Sequence, residues 1–508
     1  NFKNQFKFMR LRAKLIEIEA DKPIVILNEE DAKDLGVYVS GRVKLIYGEK
    51  EIIAIVDTTE TLVNEGEIGI FEDVNEILKI KDLDWIEVVP TSRPKSVDFI
   101  KKKLDGFTLE EHEIMAIIQD IVNDSLSSIE LSAFVTGGYI NGYTIDEVVA
   151  LTRAMVKTGQ QIDFGENIVD KHCIGGVAGN RTTLLIVPII AACGLKIPKT
   201  SSRAITSPAG TADTMEVLAS VEFTVEELKD IVNEVGGCIV WGGAVNLAPA
   251  DDKIIRVEYP LALDVEGHLL ASVMAKKLSV GSDYVLIDIP VGKGTKVESV
   301  EKANSLAKKF IEIGKRVDIK VECIITDGSC PIGNGIGPAL EARDALLCLQ
   351  NRGPLDLTRK AIELAGVLLE LAGKAPRGEG KKLAEEVLVS GKAYEKMKEI
   401  IAIQDGDPDI KPEDIPIGDK TETIVSDYKG RVGYIDNRGI SMIARTAGAP
   451  RDKGAGVYLH VTVGDIVNIG DPLFTIYSSS ENRLKEAVSL AEECKPIRVG
   501  SIITRAIA

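Results

Sequence analysis

The second third of the chain alternates between short runs rich in β-branched residues, glycine-containing turns and segments with helical spacing of apolar residues. The runs that we predict as strands include residues 184–190, 238–240, 284–289 and 321–325. Strands that alternate with helices indicate an α/β domain with a largely parallel sheet. Such sheets bind ligands beyond the carboxyl ends of their strands, which is where the glycine turns fall.

The chain before this region has a different pattern of apolar, glycine and acidic residues. Residues 9–90 contain short apolar runs separated by glycine and acidic turns, which predicts an N-terminal β-rich domain. Residues 94–165, joined later by 250–280, predict a helical domain. Thr108 and Thr144 each precede a glutamate by three residues, the spacing of a helix capping box, so we expect helices to begin at both places.

The rest of the chain divides into an α/β phosphate-binding domain and a second β-rich domain. The α/β domain takes residues 166–249 and 281–420, and prolines among acidic residues at 405–420 favour an interdomain linker at its end. Residues 421–508 predict a C-terminal β-rich domain, whose strand edges a small domain covers poorly alone. We therefore expect this domain to support a homo-oligomer, a dimer or larger, and its removal to affect assembly more than chemistry.

Charge and composition exclude several classes of function. The chain has 61 basic and 78 acidic residues, a net charge of −17, which argues against nucleic acid and anionic membranes as partners. Seven cysteines without a CxxC pair fit a reduced, cytoplasmic protein. Four widely separated histidines offer no metal-site spacing, and no apolar stretch reaches the length of a membrane span. An anionic substrate must then meet a local positive pocket.

The richest stretch of polar and glycine residues is the glycine loop, residues 174–182, with Lys171 before it and Thr183 after it. Consecutive glycines allow backbone N–H groups to approach an anion, and a following helix adds a favourable dipole. A plain turn is the alternative for a glycine run taken alone. Lys171, Arg181 and the threonines supply further donors, and we therefore predict phosphate binding here.

A second polar stretch is the hydroxyl loop, residues 200–211, which combines several serines and threonines with Arg203 and follows a predicted strand near Ile197. Hydroxyl groups and a guanidinium suit the oxygens of phosphate and ribose. The alternative is a polar loop in which serine and threonine cap the local backbone. Taken alone, the stretch does not decide between the two interpretations.

The order of the motifs along the chain resembles that of the thymidine phosphorylase family. In chain order the motifs are Lys171-His172-x-x-Gly175-Gly176-Val177, Gly210-Thr211-x-Asp213, Leu247-Ala248-Pro249-Ala250-Asp251, Ser272-x-x-x-Lys276-Lys277 and Gly292-x-Gly294. The resemblance covers residues from about Pro94 to the end. It implies a helical domain packed across a cleft from a largely parallel α/β domain, and the predicted N-terminal and C-terminal β-rich domains flank these two.

Three departures from thymidine phosphorylases narrow the resemblance. The glycine loop is one residue longer and carries Arg181 in place of an acidic residue; Val257 stands where those enzymes carry a base-reading arginine; and a module precedes Thr91. Together with the stretch 241–252, these features are similar to the archaeal AMP phosphorylase family over nearly the whole chain.

The resemblance also implies roles for individual residues. Asp264 would donate a proton to the leaving base, although the residues alone favour an Asx-type residue ahead of a glycine turn. Lys171 and Thr183 would bind phosphate. His172 is either a titratable catalytic group or a packed histidine, and Cys173 stands where thymidine phosphorylases carry a phosphate-binding serine. The residues that would bind the nucleotide are Gly176, Ser202, Arg203, Ala204, Ile205, Thr206, Ser207, Thr211, Ser272 and Lys296.

The expected activity is the phosphorolysis of AMP, and also of CMP and UMP, to a free base and ribose 1,5-bisphosphate, without a metal or organic cofactor. Arg203, Arg181 and Lys296 offer more positive groups than one inorganic phosphate needs, so we expect a second phosphate site and a preference for nucleotides. The alternatives are a pyrimidine nucleoside phosphorylase, an anthranilate phosphoribosyltransferase-like enzyme and a non-catalytic assembly scaffold.

Overall fold

The computed structural model describes residues 8–20, 22–204 and 207–500. Contacts divide the chain into two compact units, Asn1–Thr158 with Pro249–Ser272, and Gly159–Ala248 with Val273–Ala508. The strands are β1 (Met9–Leu15), β2 (Ile24–Asn28), β3 (Arg42–Tyr47), β4 (Lys50–Thr59), β5 (Glu67–Ile70), β6 (Trp85–Thr91), β7 (Val169–Cys173), β8 (Ile197–Ser201), β9 (Gly237–Trp241), β10 (Tyr284–Val291), β11 (Lys320–Asp327), β12 (Gly335–Ile336), β13 (Lys420–Val425), β14 (Gly430–Ile435), β15 (Gly456–Leu459), β16 (Ile466–Val467), β17 (Pro472–Ser478) and β18 (Ile497–Gly500).

Helices occur in both units and in the C-terminal part of the chain. They are α1 (Glu29–Leu35), α2 (Glu72–Leu78), α3 (Ser96–Leu104), α4 (Glu111–Val122), α5 (Ser128–Asn141), α6 (Ile145–Thr158), α7 (Thr183–Ala192), α8 (Thr211–Met215), α9 (Val225–Val235), α10 (Pro249–Leu261), α11 (Glu266–Ser279), α12 (Val300–Arg316), α13 (Pro338–Leu349), α14 (Leu355–Leu371), α15 (Gly380–Val389), α16 (Lys392–Ile403), α17 (Asn437–Ala447) and α18 (Glu481–Cys494). No helix in the described part of the chain combines the length and apolar character needed to span a bilayer.

The first unit joins a β-barrel to a set of helices. Strands β1 to β6 close into a barrel in the order β1-β5-β2-β4-β3-β6, so every strand edge is paired. Alternate residues of each strand, such as Leu11 and Ala13, fill the barrel core. Arg42 of the barrel ties it to the helices, because its guanidinium pairs with Glu130 of α5 and donates to the Ser125 carbonyl.

One of the two predicted helix starts is confirmed, and the other is displaced. Thr144 and Glu147 exchange side-chain and backbone hydrogen bonds at the start of α6, as predicted. With Thr108 as the cap, the helix would begin at Leu109, but α4 begins only at Glu111. The reason is that the Leu109 N–H donates to Glu147 at 2.9 Å, which holds the chain outside the helix at this point.

The second unit contains the parallel sheet. Strands β11, β10 and β7 pair in parallel, β8 pairs in parallel with β9, and a parallel bridge between Ile168 and Lys196 links the two sets. The predicted fold class, helical and largely parallel α/β domains with flanking β-rich domains, is confirmed. The four domain boundaries stay a prediction.

The strand predicted at 184–190 is wrong, because these residues form helix α7. Leu184, Leu185, Ile186, Val187, Ile189 and Ile190 are all fully buried. A helix that is buried on all sides has no polar face, and its apolar run therefore lacks the helical period and reads as a strand.

The C-terminal segment combines β-sheet with two helices. In this segment, residues 420–500, strands β15, β17 and β13 form one sheet with β12 of the α/β region, β16, β14 and β18 form another, and α17 and α18 pack against them. Its core includes Ala178 and Ile336 from the α/β region. The stretch predicted as a linker also packs closely, since Ile415 is fully buried and its carbonyl accepts from Arg343 of α13.

Candidate active site

Three loops leave the carboxyl ends of parallel strands in the second unit. The glycine loop follows β7, the hydroxyl loop follows β8, and residues 292–299 follow β10. Because β7 and β10 are parallel neighbours and β7 is linked to β8 in the same direction, the loops emerge at one edge of the sheet. This is the edge at which ligands of α/β sheets bind.

The glycine loop and the loop after β10 contact each other directly. Gly175 and Gly176 adopt φ of +95° and +92°, a left-handed conformation that suits glycine. A Cβ at Gly176 would lie 2.7 Å from backbone atoms of Thr295 and Lys296. The close approach therefore requires glycine at this position. The structure thus brings together Gly176 and Lys296, two of the residues predicted to bind nucleotide, and Lys296 itself is exposed.

The predicted phosphate residues lie where the glycine loop meets α7. Thr183 is the first residue of the helix, and Lys171 donates to the neighbouring Thr182 hydroxyl at 2.9 Å. Both Lys171 and Thr183 are buried. Burial lowers the pKa of Lys171, opposed by the nearby Cys173 and Asp288. The amino end of α7 adds the partial positive charge of its free N–H groups.

Lys171 belongs to a buried lysine cluster, defined here as Lys171, Lys199, Lys277 and Lys360 with Asp170 and Asp288. The Lys277 Nζ lies 2.6 Å and the Lys199 Nζ 3.4 Å from the Asp170 carboxylate. The Lys360 Nζ lies 3.2 Å from Asp288, which also accepts from the Thr326 hydroxyl at 2.6 Å. Lysines outnumber aspartates in this cluster, so it favours a bound anion.

The pKa values of the cluster show the cost of burying this charge. Burial lowers the pKa of Lys199 to about 7, although Asp170 acts to raise it. Burial acts to raise the pKa of Asp288, but Lys171 and Lys360, together with hydrogen bonds from Thr326 and Cys173, lower the value. An additional negative charge at the glycine loop would stabilise the protonated lysines.

Sequence reasoning missed Lys199, Lys277, Lys360 and both aspartates as members of one cluster. A signal was present at Asp288, which interrupts the otherwise apolar strand β10. A charge in a strand buried on both faces must find a partner, and such charges mark places where buried elements meet.

His172 and Cys173 follow Lys171 on β7. His172 is half-buried, and burial together with the nearby Lys277 and Lys199 holds its pKa well below the usual value, so its imidazole is neutral at pH 7. Burial and Asp288 raise the pKa of Cys173 to about 11, so its thiol stays protonated. Its sulfur accepts from the Asn180 amide at 3.3 Å. Neither side chain is a charged donor toward phosphate.

The structure revises the idea that Arg203 and Arg181 are surplus positive charges. Arg203 makes hydrogen bonds of 2.7 and 2.6 Å to Glu216 and one of 2.8 Å to Glu222, and it stacks on Trp241. Arg181 pairs with the buried Glu341 and donates to the Ala209 carbonyl. Both guanidinium groups are therefore compensated by carboxylates, because buried or half-buried charges need partners.

The other hydroxyl-loop residues predicted to bind nucleotide lie before and after positions 205 and 206. Ser202 and Ser207 are exposed, and the Ser207 hydroxyl donates to the Ala209 carbonyl at 3.0 Å. The Ala204 N–H donates to Asp213 at 2.7 Å, and Thr211 begins α8. Ile205 and Thr206, also predicted to bind nucleotide, lie outside the described residues.

Asp264 and Ser272 belong to the first unit. Asp264 is exposed in the turn between α10 and α11, and Ser272 is half-buried in α11. Both ring nitrogens of His268, on α11, make hydrogen bonds that hold this turn. Nδ1 lies 2.7 Å from Oε1 of Glu258 on α10, and Nε2 lies 2.9 Å from the Tyr143 hydroxyl. Phe134 stacks on the His268 ring. This bracing fixes the position of the Asp264 turn within its unit.

Comparison with known proteins identifies matches to three segments of the chain and relatives over nearly its whole length. Family models match at residues 97–159 (glycosyl transferase family, helical bundle domain), 165–394 (glycosyl transferase family, a/b domain) and 431–498 (pyrimidine nucleoside phosphorylase C-terminal domain). An AMP phosphorylase of Thermococcus kodakarensis is 52% identical over 501 residues, which cover 98% of this chain and 99% of that protein.

Further relatives carry the same name. AMP phosphorylases of Pyrococcus furiosus and Methanocaldococcus jannaschii are 53% and 49% identical, again over 98% of this chain and 99% of each relative. Among solved structures, an anthranilate phosphoribosyltransferase of Thermus thermophilus has a TM-score of 0.52 and 22% identity, and covers 61% of this chain and 100% of its own. At this identity the structural likeness establishes the fold alone.

Proposed function

The chain belongs to the AMP phosphorylase family, and from that premise we propose that it cleaves AMP with inorganic phosphate to adenine and ribose 1,5-bisphosphate. It is an enzyme of the pentosyltransferase type. We include CMP and UMP as further substrates, a cytoplasmic location and a homo-oligomeric assembly in the proposal.

The observation that carries the proposal is the lysine cluster at the base of the glycine loop. Its buried lysines exceed its aspartates, and Lys171 connects them to Thr182 at the start of α7. A multiply charged anion such as phosphate would complete the charge balance. This supports Lys171 and Thr183 as phosphate-binding residues.

In the proposed reaction, a phosphate oxygen attacks the anomeric carbon as the bond from that carbon to the base breaks. The sugar passes through an oxocarbenium-like state, and Asp264 transfers its proton to the departing base. His172 is a poor alternative acid, because burial and the surrounding lysines keep it neutral. The residues that we propose to bind the nucleotide are Gly176, residues 202–207 of the hydroxyl loop, Thr211, Ser272 and Lys296.

A second phosphate site, for the 5′-phosphate of the substrate, would draw on Lys296 and the hydroxyl loop. Lys296 is exposed beside Gly176, whereas Arg203 and Arg181 already have carboxylate partners. The proposed preference for nucleotides therefore depends on fewer cations than the sequence suggested.

One assay tests the proposal. Phosphate-dependent release of base is measured for AMP, CMP, UMP and the matching nucleosides, with a phosphate-free reaction as control. We expect release from AMP only with phosphate, and little from adenosine. Equal turnover of adenosine and AMP would contradict the second phosphate site, and exclusive use of uridine would favour a pyrimidine nucleoside phosphorylase, the activity in the name of the C-terminal family model.

A further inference from the structure

The C-terminal segment reaches the glycine loop through Asn437, the first residue of α17. Its side-chain oxygen accepts the Ala178 N–H at 3.1 Å, and its amide nitrogen donates to the Gly328 carbonyl at 2.9 Å. Asn437 is 1% exposed. One buried amide therefore joins the glycine loop to the loop that follows β11, using both its acceptor and its donor.

The same segment reaches the hydroxyl loop through Lys453 and Asp213. One Asp213 oxygen accepts the N–H of Ala204 at 2.7 Å and of Gly210 at 2.9 Å, so it holds these two positions of the hydroxyl loop together. The other oxygen lies 3.2 Å from the Lys453 Nζ, which also lies 2.6 Å from Glu216. The Arg203 guanidinium lies farther from this oxygen, at 3.8 Å, so Lys453 is the nearer of the two cations that hold this carboxylate.

The backbone around Lys453 is anchored independently of its side chain. The Ala339 N–H donates to the Lys453 carbonyl at 3.0 Å, and the Gly418 N–H donates to the Gly454 carbonyl at 2.9 Å. The Lys453 side chain is about one third exposed. Replacing its ammonium group should therefore leave the fold of the segment intact.

We propose that Asn437 and Lys453 are positioning residues for the phosphorolysis, which makes the C-terminal segment part of the active-site scaffold in addition to any role in assembly. The inference rests on the proposed function in one respect, namely that the two loops bind phosphate and nucleotide. It also changes the expected effect of removing residues 421–508. The truncated protein would lose loop order and activity together with any assembly contacts.

The test compares Lys453→Met, Lys453→Arg and the control Lys485→Met in the full chain. Lys485 makes only an exposed contact with Glu481 one turn away on α18. Hydrogen exchange at Ala204 and Gly210, the Michaelis constants for AMP and phosphate, kcat and the melting temperature are measured for each. We expect Lys453→Met to accelerate exchange and raise KM for AMP about tenfold, the scale of a charge-assisted hydrogen bond, with little change in melting temperature.

The arginine variant separates positioning from general stability. Lys453→Arg keeps the charge and should restore most of the exchange protection and the KM, while Lys485→Met should match the parent in every measurement. Asn437→Ala is the corresponding variant for the glycine loop, with faster exchange at Ala178 and a higher KM for phosphate expected. If Asn437→Ala fails to fold, the three Lys453 and Lys485 variants decide whether the C-terminal segment positions the active-site loops.

Parental exchange at Ala204 and Gly210, together with parental KM values, in Lys453→Met would overturn the inference. The proposed function fails in a different way, when the parent itself releases no adenine from AMP with phosphate. In that event the exchange rates still decide whether Lys453 orders the loop, because they require no turnover.

Discussion

Lys277 places its ammonium nitrogen 2.6 Å from Oδ2 of Asp170, and both side chains are buried. Asp170 lies on β7 and Lys277 on α11, and Lys199 of β8 approaches the other carboxylate oxygen. These contacts therefore link the strand that leads into the glycine loop with two other residues of the same unit, Lys277 and Lys199. A buried ion pair of this kind contributes little over an apolar pair of the same volume, but breaking it leaves a charge without its partner.

The first prediction follows from this pair. Lys277→Met keeps the volume and removes the charge, and it should lower the free energy of unfolding by about 3 kcal/mol, because Asp170 then retains only the more distant Lys199. Denaturant-induced unfolding measures the difference. Lys485→Met serves as the matched control on an exposed helix face and should change stability by less than about 0.5 kcal/mol. A loss no larger than that of the control would show that the pair is not essential to the fold.

The second prediction concerns pH and Lys199. Its pKa in the folded protein is lowered to about 7, from an ordinary value of 10.5, because it is buried. Between these two values the unfolded chain binds more protons at this residue than the folded protein does, so its contribution to stability increases as pH rises from about 7 toward 10. Below pH 7 the folded protein carries the full cost of a buried charged lysine. The unfolding free energy of the parent, minus that of Lys199→Met, should therefore rise over this window.

The deprotonation of Lys199 should weaken phosphate binding, although it stabilises the fold. As pH rises through 7, Lys199 loses its charge, and the lysine cluster becomes less positive. We expect the KM for phosphate to rise more steeply with pH in the parent than in Lys199→Met. The comparison of the two proteins removes the titration of phosphate itself, since both experience it equally. Parallel profiles would exclude Lys199 as a contributor.

The sequence predicted the elements of the site better than their electrostatics. For Gly176 and Lys296, 120 positions apart in the chain, the family resemblance implies nucleotide binding, and their backbones meet in the structure. Motifs record local backbone requirements, such as the positive φ at Gly176. They carry no information on which distant carboxylate compensates a cation. Arg181 finds Glu341, and Arg203 finds Glu216 and Glu222, only after the chain has folded.

The third prediction tests the proposed acid. Asp264→Asn keeps the size and hydrogen-bonding capacity of the side chain but has no proton to transfer to the leaving base. We expect kcat to fall by roughly 10²–10⁴-fold, the usual contribution of a positioned general acid, while AMP binding stays within a few-fold of the parent. Steady-state kinetics and calorimetric titration with AMP measure the two effects. Asp230→Asn, on the exposed face of α9, is the control and should behave as the parent.

Near-parental turnover in Asp264→Asn would remove Asp264 from the mechanism. His172→Gln then becomes the informative variant, because an imidazole is the side chain beside the glycine loop whose ordinary pKa lies near neutrality. With its imidazole neutral at pH 7, we expect His172→Gln to change kcat by less than about tenfold and to leave the pH profile near neutrality unaltered.

The last prediction uses two adjacent glycines that differ in one respect. Gly175 and Gly176 have nearly the same positive φ, so alanine at either position incurs a similar backbone strain of about 1–2 kcal/mol. A Cβ at Gly175 meets no atom within 4 Å, whereas a Cβ at Gly176 would lie 2.7 Å from the backbone of Thr295 and Lys296. Gly176→Ala must therefore displace the Lys296 loop, and Gly175→Ala need not. We expect Gly176→Ala to lose more stability in thermal unfolding, because it adds this clash to the shared strain, and to have a kcat/KM for AMP lower than that of Gly175→Ala by about 10²-fold, the cost of misplacing a binding group by about 1 Å. Equal kcat/KM values in the two variants would show that the contact between the glycine loop and Lys296 does not serve nucleotide binding.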